Sequence, residues 1–208
     1  MSRTINRNDA FTGLEAAIVL IAFVVVAAVF AYVVLGAGFF TTQKSQEVVH
    51  SGVQQATTNM NVVGEVYGDA SGTSMAGTPT IHTIIFSLAL AAGGSPIDMN
   101  KTVFVYSNSS MLRTLDFSSG ALVNGTNCNT NPPAAYQWGV CSRTNDDYDA
   151  VLDPDEKFTI WANVTDLTSA TGIPVRDTFQ IEIKPPLGAS LGITRTTTAA
   201  IDKMNLLN

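Results

Sequence analysis

The amino-acid sequence predicts an α+β fold in which a long N-terminal hydrophobic α-helix is followed by an all-β, Ig-like sandwich domain. Two observations predict this fold. From Ala16 to Phe40 no residue carries a formal charge, although 13% of the 208 residues are charged. Beyond about residue 60, short stretches alternate between apolar and polar residues and are separated by turn-rich segments, as in antiparallel β-proteins.

The uncharged segment is predicted to be a helix that needs apolar surroundings. Its roughly 25 residues give a helix of about 38 Å at ~1.5 Å per residue, which exceeds the ~30 Å hydrocarbon core of a bilayer. Bulky apolar residues fall on every side of this helix, so it has no polar face to turn toward water. The helix must therefore lie in lipid or against other apolar helices, and its interspersed alanines allow helices to approach closely.

The residues that flank this helix predict its orientation and its length. Arg3 and Arg7 precede it and favour a cytoplasmic N-terminus, whereas Lys44 on the far side opposes that assignment. After Phe40, Val49 and Val53 recur at helical spacing, which predicts an amphipathic continuation to about Asn59. The whole helix would then be roughly 70 Å long, more than a membrane requires.

The second half of the chain is predicted to form short antiparallel strands. Four stretches alternate most clearly between apolar and polar residues: TIIFSLALAA, VFVY, KFTIWANV and TFQIEIK. Segments such as GDASGTSMAGTP and NGTNCNTNPP separate them and are typical of turns and loops.

Composition and motifs exclude several classes of function. The formal net charge is −6 and the chain has no basic cluster, which argues against nucleic acid as a partner. The sequence contains no phosphate-binding Gly loop, nucleophile elbow or convincing Ser/His/Asp set, so neither an enzymatic activity nor a cofactor is expected. His50 and His82 are too few to suggest zinc.

Four phrases of the sequence together resemble archaeal flagellins, also called archaellins, of the type IV pilin-like superfamily. They are FTGLEAAIVLIAFVVVAAVF, GGSPIDMNKTVFVY, VLDPDEKFTIWANV and DTFQIEIKPPLGASLGITRT. The resemblance implies a membrane-inserted precursor that is cut by a prepilin-peptidase-like signal peptidase. It also implies assembly at a membrane platform into an extracellular helical filament of this chain, with or without other archaellins. A membrane motor would rotate this filament for swimming.

The resemblance also divides the chain into three parts. Residues 1–10 correspond to a class III, prepilin-like signal peptide, 11–59 to the filament-core helix and 60–208 to a surface β-sandwich. Cleavage then falls between Ala10 and Phe11, and the mature chain carries Gly13 third and Glu15 fifth. The leader departs from the family pattern, because Asn8, Asp9 and Ala10 stand where basic residues and a Gly are common.

The position of Glu15 at the edge of the apolar segment has two interpretations. As a carboxylate in apolar surroundings it needs a positive partner, and the new amino group of Phe11 in the same or a neighbouring subunit would provide one. Alternatively, Thr12 and Glu15 have the spacing of a capping box, and an acid in the first helical turn favours the helix dipole. Both interpretations stay open at this point.

Three further groups of residues are candidate sites in the β-domain. Cys128 and Cys141 are the only cysteines, and in an extracellular domain they favour a loop-closing disulfide over free thiols or metal ligation. N-x-S/T sequons start at Asn100, Asn108, Asn124 and Asn163.

The third group is an acidic segment, NDDYDAVLDPDE, in which Asp146, Asp147 and Asp149 are candidate calcium ligands. Since this segment lacks the Gly and the spacing of an EF-hand loop, a solvated acidic turn is the favoured interpretation.

Three functions from different classes are compatible with these features. The first is the filament subunit described above. The second is a type IV-like adhesion pilin of related build. The third is a membrane-anchored β-sandwich that binds ligands and never polymerises, although the length of the predicted helix opposes it.

Overall fold

The computed structural model describes residues 7–71, 79–118, 128, 132–147, 149–166 and 171–208, and for residues 7–12 it describes only the course of the backbone. The chain divides into two compact units, Met1–Ser51 and Gly52–Asn208. The first unit contains most of one long helix, and the second contains the strands. Below, Gly52–Asn208 is called the head.

The helix α1 runs from Arg7 to Thr57 without interruption. At ~1.5 Å per residue it is about 76 Å long. It continues through Gly36 and Gly38. The predicted end near Asn59 lies two residues too far, because the chain leaves the helix at Thr58, whose N–H makes a last helical bond to Gln54 O at 2.9 Å.

The head of the protein is built from short strands and one 3₁₀ turn at Met99–Lys101. The strands are β1 (Met60–Val62), β2 (Val66–Asp69), β3 (Thr83–Leu90), β4 (Ile97–Asp98), β5 (Val103–Asn108), β6 (Leu112–Phe117), β7 (Gln137–Thr144), β8 (Val151–Leu152), β9 (Lys157–Asn163), β10 (Thr178–Lys184), β11 (Leu191–Thr196) and β12 (Met204–Leu207). The four stretches with the clearest alternation coincide with β3, β5, β9 and β10, so the sequence prediction of these strands is confirmed.

The strands form the two layers of a β-sandwich. One layer has the order β12-β2-β3-β9-β7, with β1 also paired to β3, and the other has the order β6-β5-β10-β11. The layers are joined where β6 and β7 run parallel, with Asp116 opposite Gln137 and Phe117 opposite Trp138. All other pairs between the named strands are antiparallel, and β4 and β8 form a separate small ribbon.

Alternate residues of each long strand point into a shared core. Strand β9 has the pattern expected for one buried face, since Phe158, Ile160 and Ala162 are buried while the residues between them are partly exposed. Aromatic rings connect the two layers: the Phe104 ring of β5 stacks on Trp138 of β7 with 4.0 Å between ring centroids. At ~1.5–3 kcal/mol for each large buried side chain, this core stabilises the sandwich.

Candidate functional site

The surface of α1 is apolar on all sides and is exposed in the single chain. Every large apolar side chain from Leu14 to Phe40 is between 53% and 80% exposed. Within the described residues, α1 is the one helix whose length and composition would allow it to cross a membrane. The free energy of so much apolar surface in water is prohibitive at ~25 cal/mol per Å², so α1 requires an apolar partner.

The far end of the apolar surface is marked by a change in side-chain bonding. Thr41 and Thr42 donate their hydroxyls to the α1 carbonyls of Ala37 and Gly38 at 2.8 and 3.1 Å, which leaves no unpaired hydroxyl proton in an apolar environment. Lys44 follows and forms an exposed ion pair of 2.6 Å with Glu47. Between Glu15 and Lys44 the helix carries no charge over about 44 Å.

The residues predicted for processing all lie within α1. The helix begins at Arg7, so its backbone is continuous across the Ala10–Phe11 bond and reaches Gly13 and Glu15 without a break. Glu15 is exposed, and there is open space around Gly13 where a side chain would project. In the full-length chain Thr12 is inside the helix and not at its start, so the capping-box interpretation of Glu15 is not met.

The sequons differ in how their side-chain amides are bonded. Asn100 is exposed in the 3₁₀ turn. Asn108 accepts hydrogen bonds through Oδ1 from the N–H groups of Ser110 and Met111, at 3.0 and 2.8 Å.

Both polar atoms of the Asn163 side-chain amide are hydrogen-bonded. Its Nδ2 donates to Pro133 O at 2.9 Å, and its Oδ1 accepts from Thr165 N at 3.0 Å. Asn124 lies outside the described residues.

The acidic segment is only in part the solvated turn that the sequence favoured, since Asp147, Asp149 and Asp155 are exposed but two other carboxylates are not. Asp146 pairs with Arg143, whose Nη1 donates to Oδ2 at 3.0 Å, and the two side chains are only 5% and 8% exposed. Glu156 is also buried, and its two oxygens accept from the N–H groups of Asp147 and Asp153 at 3.3 and 2.9 Å. The burial of these two carboxylates has a physical reason that the sequence pattern does not reveal: Asp146 balances the charge of Arg143, and Glu156 satisfies backbone donors of its own loop.

The three candidate calcium ligands are divided between two groups of carboxylates. Asp147 belongs to both groups, whereas Asp146 lies in one and Asp149 in the other. The members are Asp146, Asp147 and Glu156 in the first group and Asp147, Asp149 and Asp153 in the second, with their nearest oxygens within 4.8 Å of one another. Oxygen atoms of this kind suit calcium, and the assignment of Asp146, Asp147 and Asp149 as ligands stays a prediction.

The two cysteines are joined in a disulfide that closes a loop on β7. The Cα atoms of Cys128 and Cys141 are 5.3 Å apart, within the usual range for such a bond. Cys128 is buried, and Cys141 lies in the middle of β7. The bridge therefore ties Cys128 covalently to β7.

Comparison with known proteins identifies the family. A family model described as archaeal-type flagellin matches residues 10–195. The chain belongs to the archaeal-type flagellin family. Among its relatives, Probable flagellin 1 of Archaeoglobus fulgidus is 40% identical to this flagellin over 205 residues, which cover 99% of the chain and 98% of that relative.

Solved structures agree with this assignment. The archaeal flagellum of Methanospirillum hungatei strain JF1 matches this flagellin with a TM-score of 0.66 at 34% identity, over 94% of this chain and 99% of that one. The crystal structure of flagellin FlaB1 from Methanocaldococcus jannaschii shares the fold, with a TM-score of 0.56 at 18% identity over 72% of this chain and 96% of that one.

The family resemblance read from the leader and the three β-domain phrases is thus confirmed. The flagellin is a structural subunit of the extracellular archaeal flagellar filament and is not an enzyme. Its long apolar helix followed by a β-sandwich is the architecture of the archaellin structures.

Proposed function

We propose that this flagellin polymerises through α1, with the apolar surfaces of neighbouring helices packed against one another and the heads outside this helical core. One observation carries the proposal: the apolar side chains of α1 from Leu14 to Phe40 are more than half exposed on every side. A single neighbour covers only one face of a helix, so an all-round apolar surface requires several neighbours, as the interior of a helical polymer supplies.

The same surface accounts for a membrane-inserted precursor. Transfer of α1 from lipid to a bundle of like helices exchanges one apolar medium for another, so little hydrophobic free energy separates the two states. Close packing of helices and contacts between heads then decide the balance. The subunit waits in the membrane and enters the filament base at an assembly platform without passing through water, and a membrane motor rotates the finished filament.

Removal of residues 1–10 prepares the subunit for assembly. A prepilin-peptidase-like signal peptidase cuts between Ala10 and Phe11, which creates a positive amino group four residues before Glu15. Once neighbouring helices bury Glu15, its carboxylate needs a counter-charge, because an unpaired buried charge costs several kcal/mol. The amino group of Phe11, from the same or an adjacent subunit, supplies it. Residues 11–59 then form the core and residues 60–208 the surface.

The test uses filaments sheared from cells that make this chain as their sole flagellin. N-terminal sequencing of the filament subunits is expected to start at Phe11. Glu15→Gln is expected to lower filament yield at least tenfold while the precursor still accumulates in the membrane, since the variant keeps its shape and loses its charge. Glu47→Gln is the matched control, because Glu47 is an exposed acid on the same helix beyond the apolar surface.

Two results would contradict the proposal. An N-terminus at Met1 in sheared filaments would exclude leader removal before assembly. Wild-type filament yield from Glu15→Gln would exclude the ion pair with Phe11.

We also propose that Asn100 is a glycan acceptor of the described head and that Asn163 is not. An N-glycan is attached to the side-chain nitrogen, and Asn100 is exposed on a short turn. The nitrogen of Asn163 is already donating to Pro133 O. Modification there would remove that bond, so Asn163 is a poor acceptor once the head has folded.

A further inference from the structure

A row of apolar side chains crosses the outer face of one layer of the sandwich. Strand pairing places Leu206 of β12 opposite Tyr67 of β2, Tyr67 opposite Ile85 of β3, and Ile85 opposite Trp161 of β9. All four residues alternate with inward-pointing neighbours, so they share the outer face. We call Leu206, Tyr67, Ile85 and Trp161 the outer apolar row.

The outer apolar row is not part of the core. Leu206 is 44% exposed and Tyr67 is 42% exposed, and both Ile85 and Trp161 are partly exposed. The sandwich interior is already filled by the residues that alternate with them, such as Phe86 and Ile160. The part of the row that stays exposed is therefore available to a partner.

The surroundings of the row are polar but carry little charge. On one side Ser87 lies opposite Thr159, and their hydroxyls are bonded at 3.0 Å. On the other side Thr83 lies between Asn163 of β9 and Asp69 of β2, so one charged residue borders the row there. An apolar centre with aromatic residues, a polar border and few charges is the composition of a protein–protein contact.

The outer face of the second layer differs. There the outward residues of β10 are polar or charged, and each pairs with a residue of β5. The pairs are Gln180 with Ser107, Glu182 with Val105, and Lys184 with Val103. Glu182 and Lys184 form an exposed ion pair of 3.0 Å. Each of these cross-strand pairs contains a charged or amide side chain, as is usual for a surface in contact with water.

We propose that the outer apolar row is the contact through which each head binds the head of a neighbouring copy of this chain in the filament. This inference rests on polymerisation through α1. Copies held together by their helices keep their heads at a high effective concentration, so even a small apolar surface is occupied by the neighbouring copy. Because each copy carries a net charge of −6, heads repel one another least where a face with few charges meets the partner.

The contact is heterologous. A helical polymer that does not close into a ring repeats one surface against a different surface of the next copy. The row therefore meets another part of the neighbouring head and not a second copy of itself. Tyr67 and Trp161 supply the large amphipathic side chains that carry most of the binding energy in such contacts.

A charge placed in the row tests the inference in filaments made from the full chain. Leu206→Glu is expected to lower the temperature at which sheared filaments dissociate by at least 10 °C, or to reduce filament yield several-fold. The control is Gln180→Glu, which adds the same charge to an exposed β-strand residue of the opposite outer face and is expected to match the wild type. Equal resistance of both precursors to protease establishes that the heads have folded.

Photo-crosslinking provides an independent measurement. A photoreactive residue at position 206 or 180 is incorporated as a minor fraction among wild-type subunits, so that filaments form normally. Position 206 is expected to give crosslinks that map to residues 60–208 of a second copy, and position 180 is expected to give at least fivefold fewer.

Two outcomes overturn the inference: Leu206→Glu filaments that form and dissociate like the wild type, or crosslinks from position 206 that are absent or map outside residues 60–208. Neither result bears on polymerisation through α1, because filaments form in both cases.

Discussion

Arg143, near the end of β7, and Asp146, in the loop that follows, form a buried ion pair. Arg143 Nη1 donates to Asp146 Oδ2 at 3.0 Å and to the carbonyl of Asp149 at 2.9 Å, and its guanidinium lies 5.2 Å from the centre of the Phe158 ring. The pair thus fastens the acidic segment to the sandwich core at β9.

Removal of one partner of this pair is expected to destabilise the head strongly. Asp146→Ala leaves the Arg143 charge buried beside Phe158, which costs about 3–5 kcal/mol in comparable pairs. Both tryptophans of the chain, Trp138 and Trp161, lie in the head. Their fluorescence therefore reports denaturant unfolding of the head in the detergent-solubilised full chain.

The control for this prediction is an exposed ion pair. Lys184→Ala removes the ion pair with Glu182, in which the side chains of Lys184 and Glu182 are 50% and 36% exposed. This loss is expected to lower the free energy of unfolding by less than about 1 kcal/mol. Similar losses from Asp146→Ala and Lys184→Ala would contradict the view that burial makes the Arg143 pair important.

Mild acid is expected to destabilise the head through His82. This side chain is buried, with Nε2 3.2 Å from Thr80 Oγ1 and Nδ1 3.2 Å from Thr165 Oγ1. Burial lowers the pKa of His82 below its ordinary value of 6.5, and the nearby carboxylate of Asp69 opposes this shift. The unfolded chain therefore binds the proton first as the pH falls through 6.5, and the free energy of unfolding decreases until the folded head is protonated as well.

The pH effect is measured by unfolding the wild type and His82→Asn between about pH 8 and pH 5, the interval in which an unperturbed His titrates. The wild type should lose stability on acidification, while the variant should show a flatter profile because it binds no proton in this interval. A profile of equal slope in both proteins would assign the acid sensitivity to other groups.

Glycopeptide mass spectrometry of sheared filaments should distinguish the sequons. Asn100→Gln is expected to remove one glycan mass from the subunit without an effect on the unfolding midpoint, because Asn100 is exposed. Asn163→Ala is expected to leave the glycan mass unchanged and to lower the midpoint, since it removes the bonds to Pro133 O and from Thr165 N. A glycan found on Asn163 would reverse this assignment.

Reduction of the Cys128–Cys141 bridge is expected to lower the stability of the head. The bridge joins residues 13 positions apart, and a loop of this size restricts the unfolded chain by about 2–4 kcal/mol. Cys128→Ser combined with Cys141→Ser should lower the unfolding midpoint, and reductant should then have no further effect. If reductant shifts the midpoint of the double variant as much as that of the wild type, the disulfide is not the cause.

The sequence predicted those parts of the fold that depend on a long periodic pattern. Strands β3 and β9 were recognisable because their inward residues are uniformly apolar over seven or eight positions. Strand β12 has four residues, MNLL, and its buried Asn205 interrupts the apolar pattern, so it was missed. The outer apolar row was missed with it, because it depends on which strands are neighbours and in what register.

The acidic segment shows a second limit of the sequence. A run of carboxylates is usually solvated, and that interpretation was wrong for Asp146 and Glu156. The chain returns on itself through Asn145 and Asp155, whose φ angles are 59° and 73°, and Asn145 Nδ2 donates to Asp155 O at 3.3 Å. This chain reversal places Arg143 and Glu156 so that they pack against their own loop. The residues that form the reversal have no periodic pattern, so the sequence could not predict it.

Within the head, Thr58 and Gly188 are in a close contact that a single methyl group is expected to disrupt. Thr58, the first residue after the helix, is fully buried. A Cβ atom on Gly188 would lie 2.0 Å from the Thr58 carbonyl oxygen and 3.0 Å from its carbon. Gly188 also has a φ of 98°, which side-chain-bearing residues adopt only with strain.

Gly93 is a matched control that separates the cost of the steric clash at Gly188 from the cost of backbone strain. Gly93 has a φ of 82°, and a Cβ atom placed there meets open space. Gly93→Ala should therefore cost only the backbone strain, about 1–2 kcal/mol, whereas Gly188→Ala must also displace the Thr58 carbonyl and should cost clearly more or prevent the head from folding. Tryptophan fluorescence during denaturant unfolding measures both. Equal losses would mean that the backbone at Thr58 moves freely, and the contact with Gly188 would then not fix its position.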